Sequence, residues 1–315
     1  MIDGHTKLVG LIGWPVEHSL SPVMHNAAFD ALGLNWRYLP LPVPPGQVEV
    51  AVRGLAALGF QGANVTVPHK QAVMSRITSL SPNARGVGAV NTLIIGRGAD
   101  GKSVIMGHNT DDKGFVGALR RGGFEPEDGG DVVVVGAGGA ARAVVFGLLW
   151  SGMGTVTVLN RTLERALALV SDLGPLPQPL PEAGRGASPF PPRKGDQEVR
   201  LRTLPLTPET LIESARAADL LVNATTVGMW PHVGDSVWPD GVPVPSHLTV
   251  FDLVYNPLET QLLRQARQSG ARAIDGLGML VRQGALAFEM WTNQGFTIEE
   301  IVEPMRAACE RAMQQ

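Results

Sequence analysis

Apolar residues in this chain fall into short runs bounded by glycine or proline, and between the runs the spacing becomes helical. Lys7-Leu8-Val9-Gly10-Leu11-Ile12-Gly13 predicts a strand that enters a glycine turn. Ser21-Pro22 then opens a helix carrying Met24, Ala27, Ala28 and Phe29, with Ser21 suited to cap it and Pro22 to its first position. Residues 36–41 predict a strand, and residues 48–58 a helix ended by Gly59. Residues 62–67 read as a strand stopped by Pro68. Residues 90–95 and 104–107 pair across the turn Gly98-Ala99-Asp100-Gly101, and a helix covers residues 112–120.

The second half opens on Val132-Val133-Val134-Val135, a strand apolar on both faces. It runs into Gly136-Ala137-Gly138-Gly139-Ala140-Ala141, a Gly-x-Gly-x-x-Ala turn followed by helix formers. This is the strand–turn–helix of a dinucleotide site. Gly136 allows the tight turn, Gly138 lets the backbone approach a pyrophosphate, and Ala141 keeps the helix close to the sheet. Residues 155–159 predict the next strand. At its end stand Asn160-Arg161-Thr162, with Arg165 close behind, where an NAD site carries an acid. A guanidinium binds a 2′-phosphate that a carboxylate repels, so the reading is NADP. The plainer alternative is a pair of solvated arginines at a helix start. Strands at 220–223 and 249–254 and helices at 278–291 and 298–313 follow. The alternation predicts an α/β protein with a mostly parallel sheet covered on both faces. Seven prolines between Pro175 and Pro192 exclude regular structure, and residues 174–193 read as a surface insertion.

At 315 residues the chain has room for two cores. A net charge of −3 without a basic block argues against nucleic acid and membrane surfaces as partners. Cys309 is the only cysteine, which removes disulfides and thiolate zinc sites, and no metal site is expected. No apolar run reaches the roughly 20 residues of a membrane span, and the N-terminus lacks a signal-peptide layout. The expectation is a free-standing cytoplasmic protein, monomer or homodimer, acting on a small molecule.

Polar residues stand where a core needs none. Ser19 and Ser21 flank a leucine after the first turn and suit a carboxylate or a polyol. Asn64, Thr66 and Lys70 end a strand, where open α/β sheets face their ligands. Asn109-Thr110-Asp111-Asp112 precedes the dinucleotide segment. A lysine paired with an aspartate in a cleft makes an acid/base couple; a solvated lysine and a turn aspartate are the plainer readings.

The motifs together resemble the shikimate dehydrogenase family. Gly13-Trp14-Pro15-Val16-Glu17-His18-Ser19-Leu20-Ser21-Pro22 with His25-Asn26 is similar to its opening signature. Asn64-Val65-Thr66-Val67-Pro68-His69-Lys70, Gly88-Ala89-Val90-Asn91-Thr92 and Gly107-His108-Asn109-Thr110-Asp111 continue in the family's order. So do Asn223-Ala224-Thr225-Thr226-Val227-Gly228-Met229, Asp252-Leu253-Val254-Tyr255-Asn256-Pro257 and Gly276-Leu277-Gly278-Met279-Leu280-Val281-Arg282-Gln283. The resemblance implies reversible NADPH-linked reduction of 3-dehydroshikimate to shikimate, a step of aromatic amino-acid (chorismate) biosynthesis. It implies a substrate domain over 1–111, completed by helices at 280–315, and a Rossmann-type NADP domain over 112–279. It matches Lys70 and Asp111 with a catalytic pair, and Ser19, Ser21, Thr66, Asn91, Tyr255 and Gln283 with substrate-binding positions. It matches Gly136, Ala137, Gly138, Gly139 and Ala140 with the pyrophosphate loop, and Asn160, Arg161, Thr162 and Arg165 with a 2′-phosphate clamp. Thr225, Met229, Gly276, Gly278 and Met279 match the nicotinamide wall.

One departure is Asp112, where the family usually has glycine; a helix cap is the expected use of this acid. Three other readings are open: a quinate/shikimate dehydrogenase of broader cofactor use, a catalytically silent NADP-binding relative, and a folate-type methylene dehydrogenase of the same domain plan. Ser21 and Arg161 argue against the first, Lys70 with Asp111 against the second, and the Ser-Leu-Ser motif against the third.

Overall fold

The computed structural model describes residues 2–126, 130–173 and 200–314. The proline-rich segment expected at 174–193 lies outside the described residues. The chain divides into two units, Met1–Gly114 with Val281–Gln315, and Phe115–Leu280.

The first unit is built on a mixed sheet in the order β2-β1-β3-β5-β6-β4. Its strands are β1 (Lys7–Gly13), β2 (Trp36–Pro42), β3 (Gly62–Val65), β4 (Ser79–Leu80), β5 (Thr92–Arg97) and β6 (Ser103–His108). Both neighbours of β1 run parallel to it, whereas β5 is antiparallel to β3 and β6. Helices α1 (Ser21–Ala31), α2 (Val48–Ala57) and α3 (Pro82–Val87) join the strands, and α4 (Asp111–Arg121) follows them. Ile12, Val52, Val65 and Leu93 lie in one buried cluster beneath α2. The expected strand at 62–67 stops at Val65, so Thr66 to Lys70 are free to form a turn, closed by the His69 N–H on the Thr66 carbonyl.

The second unit carries an all-parallel sheet in the order β12-β11-β10-β7-β8-β9. Its strands are β7 (Asp131–Val135), β8 (Thr155–Asn160), β9 (Arg200–Pro205), β10 (Leu220–Asn223), β11 (Thr249–Asp252) and β12 (Arg272–Ile274). Its helices are α5 (Gly139–Ser151), α6 (Leu163–Leu173), α7 (Pro208–Ala217) and α8 (Gln261–Gln268). The four valines of β7 are buried, as a strand covered on both faces requires. β7 pairs with β8 on one side and β10 on the other, so the chain order reverses at its carboxyl end. That is where a doubly wound sheet opens a crevice for ligand.

Two last helices, α9 (Leu277–Thr292) and α10 (Ile298–Ala312), end the chain. Within the first unit, α10 packs on α1, and Phe288 of α9 stacks on Phe29 at 4.7 Å between ring centres. The Trp291 indole N–H donates to the Leu93 carbonyl at 2.9 Å. No helix among the described residues is long and apolar enough to cross a membrane.

Candidate active site

The carboxyl ends of β3 and β6 and the amino end of β5 bring a polar cluster together in the first unit. The Lys70 Nζ donates to Asp111 Oδ2 at 2.6 Å, with both side chains largely buried. Asn91 Nδ2 donates to the other oxygen, Asp111 Oδ1, at 2.8 Å and also to Thr110 Oγ1 at 2.9 Å. Gln283 Oε1 lies 3.4 Å from the same nitrogen. Lys70, Asp111, Asn91 and Gln283, separated by up to 213 positions in the sequence, are therefore one contact group. A carboxylate that accepts from an ammonium on one oxygen and an amide on the other is fixed in orientation.

Ser19, Ser21 and Thr66 belong to the same unit without bonding to that group. Thr66 closes on the first glycine turn, since its methyl occupies the place a side chain at Gly13 would take. The Ser21 amide donates to Ser19 Oγ at 3.2 Å. Ser21 does not cap α1: the cap residue is Leu20, which makes no side-chain capping bond. The hydroxyl is therefore not engaged by the helix start.

Asp112 also departs from expectation. Helix α4 begins at Asp111, which places Asp112 inside the first turn and turns it inward. The side chain that accepts a first-turn amide is Asn109, from Asp111 N at 2.9 Å. Asp112 is fully buried, accepts from Asn83 Nδ2 at 3.0 Å through Oδ1, and leaves Oδ2 without a partner. Burial pushes its carboxyl up to about 6, against the pull of the Asn83 bond. Burial, with Lys113 nearby, also holds His108 below the usual imidazole range.

Asn64, already marked at the end of its strand, is joined by Tyr38 and Thr92, to which motif reading assigned no role, and the three complete the cluster. Asn64 donates to the Asn91 carbonyl at 3.1 Å and to Thr92 Oγ1 at 3.2 Å, and it accepts from the Tyr38 hydroxyl at 2.9 Å. Their signal in the sequence is a polar residue at a strand position with apolar neighbours, as in Ala63-Asn64-Val65.

The second unit holds the other group of expected residues. Gly136 has φ +116°, and a Cβ there would come within 3.0 Å of the Ala224 carbonyl oxygen. A Cβ at Gly138 would meet nothing within 4 Å, so the backbone there is open to an approaching group. Gly138 caps α5 without a side chain, and the first-turn amides are left for an anion. Asn160 donates to the Thr162 carbonyl at 2.7 Å and tightens the turn that presents Arg161, which is exposed together with Arg165. These features fit a dinucleotide's pyrophosphate and 2′-phosphate. Thr225 donates its hydroxyl to Asn223 Oδ1 at 2.7 Å and accepts from the Val227 amide at 3.1 Å. Asn223 is anchored in turn on buried Asp252 at 2.9 Å, and Thr260 Oγ1 donates to the same carboxylate at 2.6 Å. Burial raises the Asp252 carboxyl to about 6, while the Thr260, Val254 and Asn223 bonds oppose it. Met229 at the loop's end is exposed and Met279 is buried. A side chain at Gly276 would collide with the Leu253 carbonyl. Tyr255, just beyond β11, is half-buried.

Residues 11–93 match the shikimate dehydrogenase substrate binding domain. Residues 122–183 match the shikimate/quinate 5-dehydrogenase family, and residues 276–310 the shikimate 5′-dehydrogenase C-terminal domain. A shikimate dehydrogenase (NADP(+)) of Methanopyrus kandleri is 45% identical over 307 residues, which is 98% of this chain and 96% of the relative. The crystal structure of shikimate 5-dehydrogenase from Thermus thermophilus, in complex with NADP(H) and shikimate, has a TM-score of 0.76 to this chain. It is 37% identical, covering 96% of this chain and 100% of that one. Quinate dehydrogenase from Corynebacterium glutamicum, in complex with NAD, has a TM-score of 0.76 at 30% identity over 95% of this chain and 98% of its own. With such identity sustained along almost its entire length, the chain belongs to the shikimate dehydrogenase family.

Proposed function

We infer that the chain interconverts 3-dehydroshikimate and shikimate with NADP as cofactor. The observation that carries this reading is the Lys70–Asp111 pair braced by Asn91, in a chain whose relatives are NADP-dependent shikimate dehydrogenases. The first unit takes the substrate and the second the cofactor. When bound, NADPH supplies the hydride. Reduction of a ketone leaves an alkoxide that needs a proton and nearby positive charge. Lys70 supplies both at the carbonyl oxygen, and Asp111 holds the ammonium in place and accepts from a substrate hydroxyl. Ser19 and Ser21 bind the carboxylate. Thr66, Asn91 and Gln283 bond the ring hydroxyls, and Tyr255 is a further substrate-binding residue.

The loop Gly136, Ala137, Gly138, Gly139 and Ala140 holds the pyrophosphate, and Asn160, Arg161, Thr162 and Arg165 hold the 2′-phosphate. Thr225, Met229, Gly276 and Met279 wall the nicotinamide. In the second reading, the likeness to an NAD-bound quinate dehydrogenase keeps the chemistry and widens the substrate. An absorbance assay at the wavelength of the reduced nicotinamide, with shikimate or quinate and NADP or NAD, separates the two. Turnover mainly with shikimate and NADP is the expected result. Preference for quinate or NAD moves the chain to the broader relative, and no turnover with any pair removes the assignment.

A further inference from the structure

The bonds around Asn91 extend further than the proposed site, and their direction is fixed at both ends. The Asn91 carbonyl accepts from the Val65 amide at 2.8 Å and from Asn64 Nδ2 at 3.1 Å. A main-chain carbonyl only accepts, so the Asn64 amide nitrogen must face it and Asn64 Oδ1 must face Tyr38. The Tyr38 hydroxyl therefore donates to Asn64 Oδ1, at 2.9 Å. Asn64 also donates to Thr92 Oγ1, whose own proton goes to Asn91 Oδ1 at 2.9 Å. That same oxygen accepts the Thr110 amide at 2.9 Å. A main-chain amide only donates, so Asn91 must turn its nitrogen to Asp111. Every step runs the same way: Tyr38, Asn64, Thr92, Asn91, Asp111.

The tyrosine itself is held without help from its hydroxyl. Asn26 bonds both its amide and its carbonyl at 2.9 Å. The His25 ring lies parallel to the phenol at 4.3 Å between centres. Burial pushes His25 down to about 3, so it stacks as a neutral ring.

We propose that Tyr38 is a positioning residue for the reaction, orienting Asp111, and hence Lys70, through Asn64, Thr92 and Asn91. The proposal rests on the acid/base role given to Lys70 and Asp111 above. A chain of aligned donors ending on a carboxylate strengthens each link, and one missing proton at its head lets Asn64 turn and loosens Asn91.

The test is a double-mutant cycle in shikimate turnover, with NADP binding and thermal melting as checks on the fold. Tyr38→Phe keeps the ring and its stack. It is expected to lower kcat/KM for shikimate roughly fivefold, the value of one buried hydrogen bond, while KM for NADP stays unchanged. In an Asp111→Ala background the same substitution is expected to change little. An equal loss in both backgrounds marks a packing role and overturns the proposal, as does unimpaired turnover of Tyr38→Phe. Should Tyr38→Phe melt early, Thr92→Val breaks the chain at another link and must show the same non-additivity. Near-wild-type turnover of Asp111→Ala removes the acid/base reading along with the proposal. An impaired Asp111→Ala with an additive Tyr38→Phe removes the proposal alone.

Discussion

In the first unit the polar side chains at the sheet's carboxyl edge are bonded to one another: Lys70 to Asp111, Asp111 to Asn91, Asn91 to Thr92. At the corresponding edge of the second unit the groups facing outward are backbone amides at Gly138 and exposed cations at Arg161 and Arg165. The internal bonds there, Asn223 donating to Asp252 and accepting from Thr225, shape the loop after β10. Acid/base chemistry demands a fixed proton donor with a tuned environment, which only a closed side-chain network provides. Holding phosphates demands only directed N–H groups and positive charge, which a turn and a helix start supply. On the proposed function, one edge is organised around a reacting atom and the other around a shape.

The sharpest break in this comparison is Lys70→Ala, expected to lower kcat by roughly 10²–10⁴-fold with a smaller change in KM. Steady-state assay checks it, and turnover close to the parent's would take Lys70 out of the chemistry. Next is Arg161→Ala. Losing a charged contact to the 2′-phosphate raises KM for NADPH by roughly 10–100-fold and leaves NADH almost untouched. Equal effects on the two cofactors would sink the clamp.

Gly136→Ala tests the turn. Forcing a Cβ to φ +116° against the Ala224 carbonyl is expected to cost on the order of 1–3 kcal/mol, seen as a lower melting temperature. An unchanged melting curve would show that the turn relaxes freely.

The smallest effect concerns Asp112. Its folded value of about 6 lies above the ordinary carboxylate value of 3.8, so the folded state keeps the proton longer. Stability present below about pH 4 is then lost as pH rises towards about 6. Asp112→Asn is expected to be more stable than the parent at neutral pH by on the order of 1–3 kcal/mol, and equal to it near pH 4. Melting both proteins at the two pH values checks this; a difference independent of pH would refute it.

What the sequence made legible was contiguous. The Val132–Val135 run, the glycine turn after it and Arg161 can be read in one pass because one continuous strand–helix–strand segment, β7 through β8, leads from the first to the last. Lys70 and Asp111 were picked out as a pair of residue types, without the contact that joins them. The network around them was hidden because it depends on register. Asn64 stands opposite Thr92 only when β3 and β5 run antiparallel, and Tyr38 arrives from a strand two places away. Asp112 was misread as a cap for a related reason: beginning the helix one residue earlier changes which side chain points inward.

The place of Trp291 bears on how the protein is made. Its indole bonds the Leu93 carbonyl and lies where a side chain at Gly62 would stand, so it closes the seam between β3 and β5. The ribosome delivers this tryptophan only after all of Phe115–Leu280. At typical elongation speeds the nascent first sheet waits roughly ten to thirty seconds for it, while the second unit, continuous in the chain, is free to finish. Of the two units, the one begun first is completed last.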